Sequence, residues 1–197
     1  FQLFLKHGYK GVSLNDIIAN SGLSKGAIYH HFDSKYAIYL AAIDHYYFQM
    51  MDHSFLPFGE INTEDEGQSF LQRLRTRFES FANLLEAIEA LTPYPIRTFF
   101  IFQLESEQDP AIRERVISSL NIYRKEVNEM VEKAIANEEL INNLPASTIA
   151  QQLISMIEGL AIHHSTIEKD GKAFLLQKFD EVIASYINLL TPKHQTT

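Results

Sequence analysis

The stretch Gly11-Val12-Ser13-Leu14-Asn15-Asp16-Ile17-Ile18-Ala19-Asn20-Ser21-Gly22-Leu23-Ser24-Lys25-Gly26-Ala27-Ile28-Tyr29-His30-His31-Phe32-Asp33-Ser34-Lys35 decides how this chain reads. Ser13 followed three residues later by Asp16 is a capping-box arrangement, which opens a helix over about 14–20 with Leu14, Ile17 and Ile18 as its apolar face. Ser21-Gly22-Leu23 makes a tight turn, and Ser24 caps a second short helix through about Phe32. Two short helices joined by a glycine-containing turn satisfy the geometry of a crossed pair. Leu14, Ile17, Leu23, Ile28 and Phe32 are the expected small core between them. Ser24, Lys25, Gly26, Ala27, Tyr29 and His30 are then left facing outward. Such small or hydrogen-bonding side chains let a helix enter a major groove closely. Tyr29 can donate to a phosphate, and Lys35 stands at a helix start where backbone amides also face anions. A helical hairpin inside a bundle carries the same local pattern, so these residues alone leave both readings open.

Working outward, Leu3, Phe4 and His7 close a first helix, stopped by Gly8 and Gly11; the opening residues read as the tail of a truncated helix. Asp33-Ser34 caps a longer helix from Lys35 to about His53. A polar stretch from Glu60 to Gln68 reads as a loop. Helices are then expected over about 69–91, ended by Thr92-Pro93-Tyr94-Pro95, and over about 96–107. Asp109-Pro110 opens one reaching about 137, with Asp at the cap and Pro in the first turn. Pro145-Ala146-Ser147 opens another to about 168, and Asp170-Gly171 separates it from a last helix over about 172–190. Helical spacing dominates, and alternating β-branched runs are missing. The predicted fold is all-α with about nine helices: a three-helix head with a connecting helix over 1–50, and a larger helical domain over 51–197.

The composition narrows the possibilities. The chain has no Cys, which excludes disulfides, thiol redox sensing and thiolate metal sites. No apolar stretch approaches the roughly 18 to 20 residues that span a bilayer. The opening residues are too short and too soon interrupted for a signal peptide, so a cytoplasmic location is expected. Net charge is −8, but residues 1–35 hold four Lys against two Asp, a net of +2, so the remainder carries −10. A locally positive head on an acidic body fits phosphate contact with little unspecific sticking.

The run from Gly11 to Lys35, with its SKGxxYxxFxSK core, resembles the DNA-binding domain of the tetracycline-repressor (TetR) family. The preceding Leu3-Phe4 and Gly8-Tyr9 are similar to the end of that family's first helix. The likeness is strong over 1–50; beyond, only helix number and lengths are similar. It implies a homodimeric one-component regulator of double-stranded operator DNA, usually a repressor, released by a small-molecule effector. The residues implied at DNA are Ser13, Ser24, Lys25, Gly26, Ala27, Tyr29, His30 and Lys35, with Tyr29 and Lys35 on phosphates. Two departures stand out. Ile18 occupies a position where the family often has Ala, and no Arg precedes Arg73, so the commonest guanine reader is missing. Base choice is then expected to rest on Ala27 against a thymine methyl, on DNA shape, or on an amino-terminal arm.

The middle helices are rich in aromatic and Met residues, among them Tyr46, Tyr47, Phe48, Met50, Met51, Phe55, Phe70 and Phe100. Polarizable and rigid side chains suit an adaptable apolar pocket, although each one alone also suits an ordinary core. By the resemblance, a pocket lies among the helices from about 69 to 164; the residues expected to line it are Phe78, Phe81, Phe99, Phe102, Tyr123, Met156 and Glu158, around a largely apolar effector. Glu158 sits in an apolar run, where an unpaired carboxylate is costly. It therefore needs a partner in the dimer, in solvent or in a cationic ligand. His163, His164 and Glu168 can be drawn as metal ligands, but adjacent His residues point about 100° apart, so a surface or seam position is favoured and no metal or other cofactor is expected.

Two apolar stripes mark the expected dimer interface: Ile149, Leu153, Met156, Leu160 and Ile167 on one helix, and Leu175, Phe179, Val182, Tyr186 and Leu189 on the last. Leu176, Ile183, Ile187 and Leu190 give the last helix a second apolar flank, and a helix apolar on two sides needs two partners. Burial within one chain is the competing explanation. A helical enzyme using His163, His164, Glu158 or Glu168 lacks any base–nucleophile pair or phosphate loop, so no enzymatic activity is expected. A helical interaction module without DNA binding is the other alternative, disfavoured by the intact Ser24–Lys35 run.

Overall fold

The computed structural model describes residues 1–48, 67–89, 94–167 and 172–192. Among them every regular element is helical. The chain forms two compact units, Phe1–Asp52 and His53–Thr197.

In the first unit, α1 (Gln2–Gly11) is followed by α2 (Leu14–Ser21), α3 (Lys25–His31) and α4 (Lys35–Ile43), with α4 running on into a π-helical turn at Asp44–Phe48. The caps are local and strong. Ser13, Ser24 and Ser34 each accept a hydrogen bond from the backbone N–H three residues on, that of Asp16, Ala27 and Ala37. Gly22 ends α2 with φ 69°, a left-handed conformation that a side chain would strain. Gly8 and Gly11 were expected to stop the first helix; Gly8 kinks α1 at φ 66°, ψ 169°, and the helix ends at Gly11. Phe4, Val12, Ile28, Ile43, Tyr47 and Phe48 are the buried apolar residues of this unit. An aromatic clasp joins α1 to α4, with Tyr39 lying 5.0 Å from the Phe4 ring and 4.9 Å from the Tyr9 ring. The expected core position of Leu23 is corrected. It is 52% exposed, because it lies on the turn before the α3 cap rather than on the inward face.

The second unit contains α5 (Phe70–Glu89), α6 (Pro95–Glu105), α7 (Pro110–Ala136) and α8 (Ala146–Ile167). Its last helix, α9, consists of Lys172–Lys178, a π-helical turn at Phe179–Ile183 and Ala184–Leu190. Asp109 caps α7 by accepting from the N–H groups of Ala111 and Ile112, with Pro110 in the first turn. α8 lies against α7, α6 and the π turn of α9, while α5 packs on the first part of α9. Its inward residues Ile149, Leu153 and Ala161 are almost wholly buried, as are Val127, Val131 and Ala134 of α7. Each such aliphatic burial contributes about 1.5–3 kcal/mol for Val, Leu or Ile. The two ends of the unit are tied by polar contacts. Glu139, just past α7, accepts from Arg73 at 2.7 Å and from the Phe70 N–H at 2.5 Å, and Ile141 N–H donates to Leu190 O at 2.8 Å.

Candidate nucleic-acid interface and sensing unit

The reading head is built from its caps. Ser13 accepts from the Asp16 N–H, while the Asp16 carboxylate accepts from the Ser13 hydroxyl at 2.6 Å and the Ser13 N–H at 2.8 Å. Those two bonds hold the Asp16 carboxyl below its ordinary range, with His7 adding a weaker pull. α2 therefore starts at a defined residue, and Gly22 ends it at another. The α3 that follows is only seven residues long, about two turns. Its inward anchor is Ile28, 3% exposed, and the next residue, Tyr29, is 48% exposed. Ser24, Lys25, Gly26 and His30 are exposed with it, and Ala27 is half-buried. Lys25 Nζ lies 5.8 Å from the Tyr29 ring centroid, and the His30 and His31 rings meet edge-on at 5.1 Å. The outer wall thus carries one fixed cation, two imidazoles and a phenol, all hydrogen-bonding groups suited to phosphates and base edges.

Lys35, expected at a phosphate, also has partners within the chain. Its ammonium donates to the carbonyl oxygens of Tyr9 at 2.9 Å and Val12 at 2.8 Å, and lies 4.1 Å from the Tyr9 ring centroid. Neighbouring letters carry no sign of these partners, which stand 26 and 23 residues away.

In the second unit the structure brings most of the expected aromatic residues together. Phe78 and Phe81 of α5, Phe99 and Phe100 of α6 and Phe179 of α9 form a continuous chain of rings, with neighbouring centroids 5.0–6.4 Å apart. Phe102 is half-buried on α6, Tyr123 is buried on α7, and Met156 and Glu158 are half-buried on α8. Burial pushes the Glu158 carboxyl up, partly offset by the Arg124 charge. Burial also raises the Tyr123 phenol, and the Glu158 charge raises it further.

The expected interface residues divide. Ile149, Leu153, Leu175 and Phe179 are between 0% and 2% exposed within the single chain, so they have no surface left to give a partner. Their assignment to a dimer seam is corrected to intrachain core. Leu160, Val182 and Tyr186 remain half-exposed, and the Tyr186 hydroxyl donates to Gln152 Oε1. Beyond them, Ile162 at 48% and Leu189 at 76% are open to solvent, and nothing lies within 4 Å of where a Cβ on Gly159 would stand. The side chains of Ile167 and His164, together with Met50, Met51, Phe55 and Glu168, lie outside the described residues. Among the described residues no group of three His, Asp or Glu side chains could hold a metal ion, and no helix is long and apolar enough to cross a membrane.

Two capped short helices joined by a glycine turn, the second with an outward polar wall, define a helix-turn-helix protein. Residues 1–42 match the bacterial regulatory proteins of the tetR family, and residues 69–174 match the tetracyclin repressor-like C-terminal domain. The chain belongs to the TetR family of transcription regulators, whose members bind DNA and are not enzymes. It is 26% identical over 170 residues to the HTH-type transcriptional regulator CymR of Pseudomonas putida, covering 85% of this chain and 75% of that one. It is 21% identical over 192 residues to the HTH-type transcriptional regulator YerO of Bacillus subtilis, and the match covers 92% of this chain but only 61% of YerO. A TetR-family regulator from Cytophaga hutchinsonii has a similar fold, with a TM-score of 0.67 at 21% identity over 98% of this chain and 90% of that one.

Proposed function

We propose that this protein is a dimeric repressor which reads a pseudo-palindromic operator through α3 and lets go when a small, largely apolar molecule binds its second unit. The observation that carries the reading is the outer wall of α3, where Lys25, Tyr29 and His30 are exposed while Ile28 anchors the opposite side. Tyr29 and Lys25 supply phosphate and base-edge donors, Ser24 and Gly26 leave room for close approach, and Ala27 offers a methyl to thymine. Two such helices in a two-fold pair would enter successive major grooves about 34–36 Å apart. The half-exposed Leu160, Val182 and Tyr186, with Leu189 and Ile162, supply apolar area for that pair on α8 and α9. The ring cluster of α5, α6 and α9, together with Tyr123, Met156 and Glu158, is the proposed effector site. Coupling of about 1–3 kcal/mol between effector and DNA would change operator affinity some five- to 150-fold.

Mobility shift on the promoter of the protein's own gene, with and without fractionated metabolite pools, tests this reading. Retardation that one fraction abolishes is the expected result. Failure to retard any neighbouring promoter DNA contradicts it.

A further inference from the structure

We propose that Lys35 is the positioning residue of the reading head, an internal strut that sets the angle of α3 rather than a phosphate contact. The inference rests on the DNA-reading proposal above and concerns how that reading is held in geometry.

An ammonium has three donors and no acceptor, and burying part of it is costly unless those donors are used. Lys35 uses two of them on the carbonyls of Tyr9 and Val12, and the face of the Tyr9 ring lies 4.1 Å away. Both carbonyls stand where a cation does structural good. Tyr9 is within the last turn of α1, whose final carbonyls have no helical donor, and Val12 is the residue that ends it. A positive charge there also opposes the negative end of the helix dipole. Val12 immediately precedes Ser13, the cap of α2, and Lys35 itself stands four residues past His31, the end of α3. One ammonium therefore joins the entry of α2 to the exit of α3.

That joint matters because the apolar core of the pair is only partly buried. α2 has no fully buried residue, only the half-buried Leu14, Ile17 and Ile18, and Ile28 is the one fully buried residue of α3. With so thin a core, the crossing of the two helices depends on ties at their ends. Lys35 is the tie that spans both.

The test uses the full chain carrying Lys35→Met, which keeps an unbranched stem but no donors, and Tyr9→Leu, which removes the ring beneath the ammonium and no charge. The probes are the duplex that the wild-type protein selects from a randomised pool and an unrelated duplex of equal length. Binding is measured across a salt series at a temperature where circular dichroism shows the protein folded. The expected result for both variants is an affinity for the selected duplex about tenfold weaker, of the order of one mismatched base pair. Binding to the unrelated duplex and the salt dependence should remain as in the wild type. A lost phosphate contact gives another pattern: Lys35→Met weakens both duplexes and lowers the salt slope by about 0.9, while Tyr9→Leu binds normally. That pattern overturns the inference, and so does unchanged binding by the folded variants, which would make Lys35 a stabilising residue alone. If Lys35→Met fails to fold, Tyr9→Leu still decides between strut and phosphate contact. A wild-type protein that selects no duplex overturns the DNA reading itself and takes this inference with it.

Discussion

Ile28 and Tyr29 are consecutive residues of α3, yet one is 3% and the other 48% exposed. A turn of about 100° per residue puts neighbours on different walls of a helix. This contrast gives α3 one anchored side and one presented side.

The presented side includes Gly26, where an added Cβ would meet only the Ser24 hydroxyl, at 4.0 Å. Glycine inside a helix costs up to about 1 kcal/mol relative to alanine. Gly26→Ala should therefore raise the melting temperature, since the methyl has room in the free protein. In a groove the same methyl stands between helix and DNA, so affinity for the selected duplex should fall severalfold. Calorimetry paired with a binding titration checks both signs; tighter binding by the variant would move Gly26 away from the DNA.

Glu139 closes the second unit by holding the Arg73 guanidinium and the Phe70 N–H, and the side chains of the ion pair are only 14% and 22% exposed. Glu139→Ala leaves a charged donor and a helix-start N–H without their acceptor. The expected loss is about 2 kcal/mol, in the range of hydrogen bonds to charged groups. Urea denaturation should show a lower midpoint with an unchanged slope. A midpoint equal to that of the wild type would mean solvent replaces the carboxylate at no cost.

Asp16 and Glu158 make opposite contributions to pH dependence. The Asp16 carboxyl is held below its unfolded value, so its stabilisation is present above that value and lost as pH falls through the folded one. The Glu158 carboxyl is raised, so the folded state is favoured below the unfolded value and loses that advantage as pH climbs through the folded one. Glu158→Gln should thus raise the melting temperature at pH 7 and change little at pH 4. Asp16→Asn should lower it at pH 7 and lose its effect under acid conditions strong enough to protonate Asp16. Melting curves at several pH values would reveal a reversed order if either environment were misassigned.

What could be read without coordinates followed the range of each interaction. Ser13, Ser24, Ser34 and Asp109 cap helices through bonds to residues two or three positions away, so their chemistry is written in adjacent letters. The outward set Ser24, Lys25, Gly26, Tyr29 and His30 followed from helical spacing within one short segment. Spacing identifies an apolar stripe but not the surface that covers it. Ile149, Leu153, Leu175 and Phe179 accordingly read as a seam between subunits, whereas the chain buries them itself. The partners of Lys35 escaped notice for the same reason, since Tyr9 and Val12 lie across the fold. Gly8 marks the break in α1 in the letters themselves, whereas the two π-helical turns lie in runs of helix-forming residues that carry no mark of them.

The most direct test of the account is binding of a Lys25→Ala, Tyr29→Phe double variant to the duplex selected by the wild-type protein. Both changes lie on the exposed wall of α3, so sedimentation and circular dichroism should match the wild type. Affinity should drop about a hundredfold, with each lost contact costing roughly one to three kcal/mol. Wild-type affinity in the folded double variant would contradict the claim that this wall reads DNA.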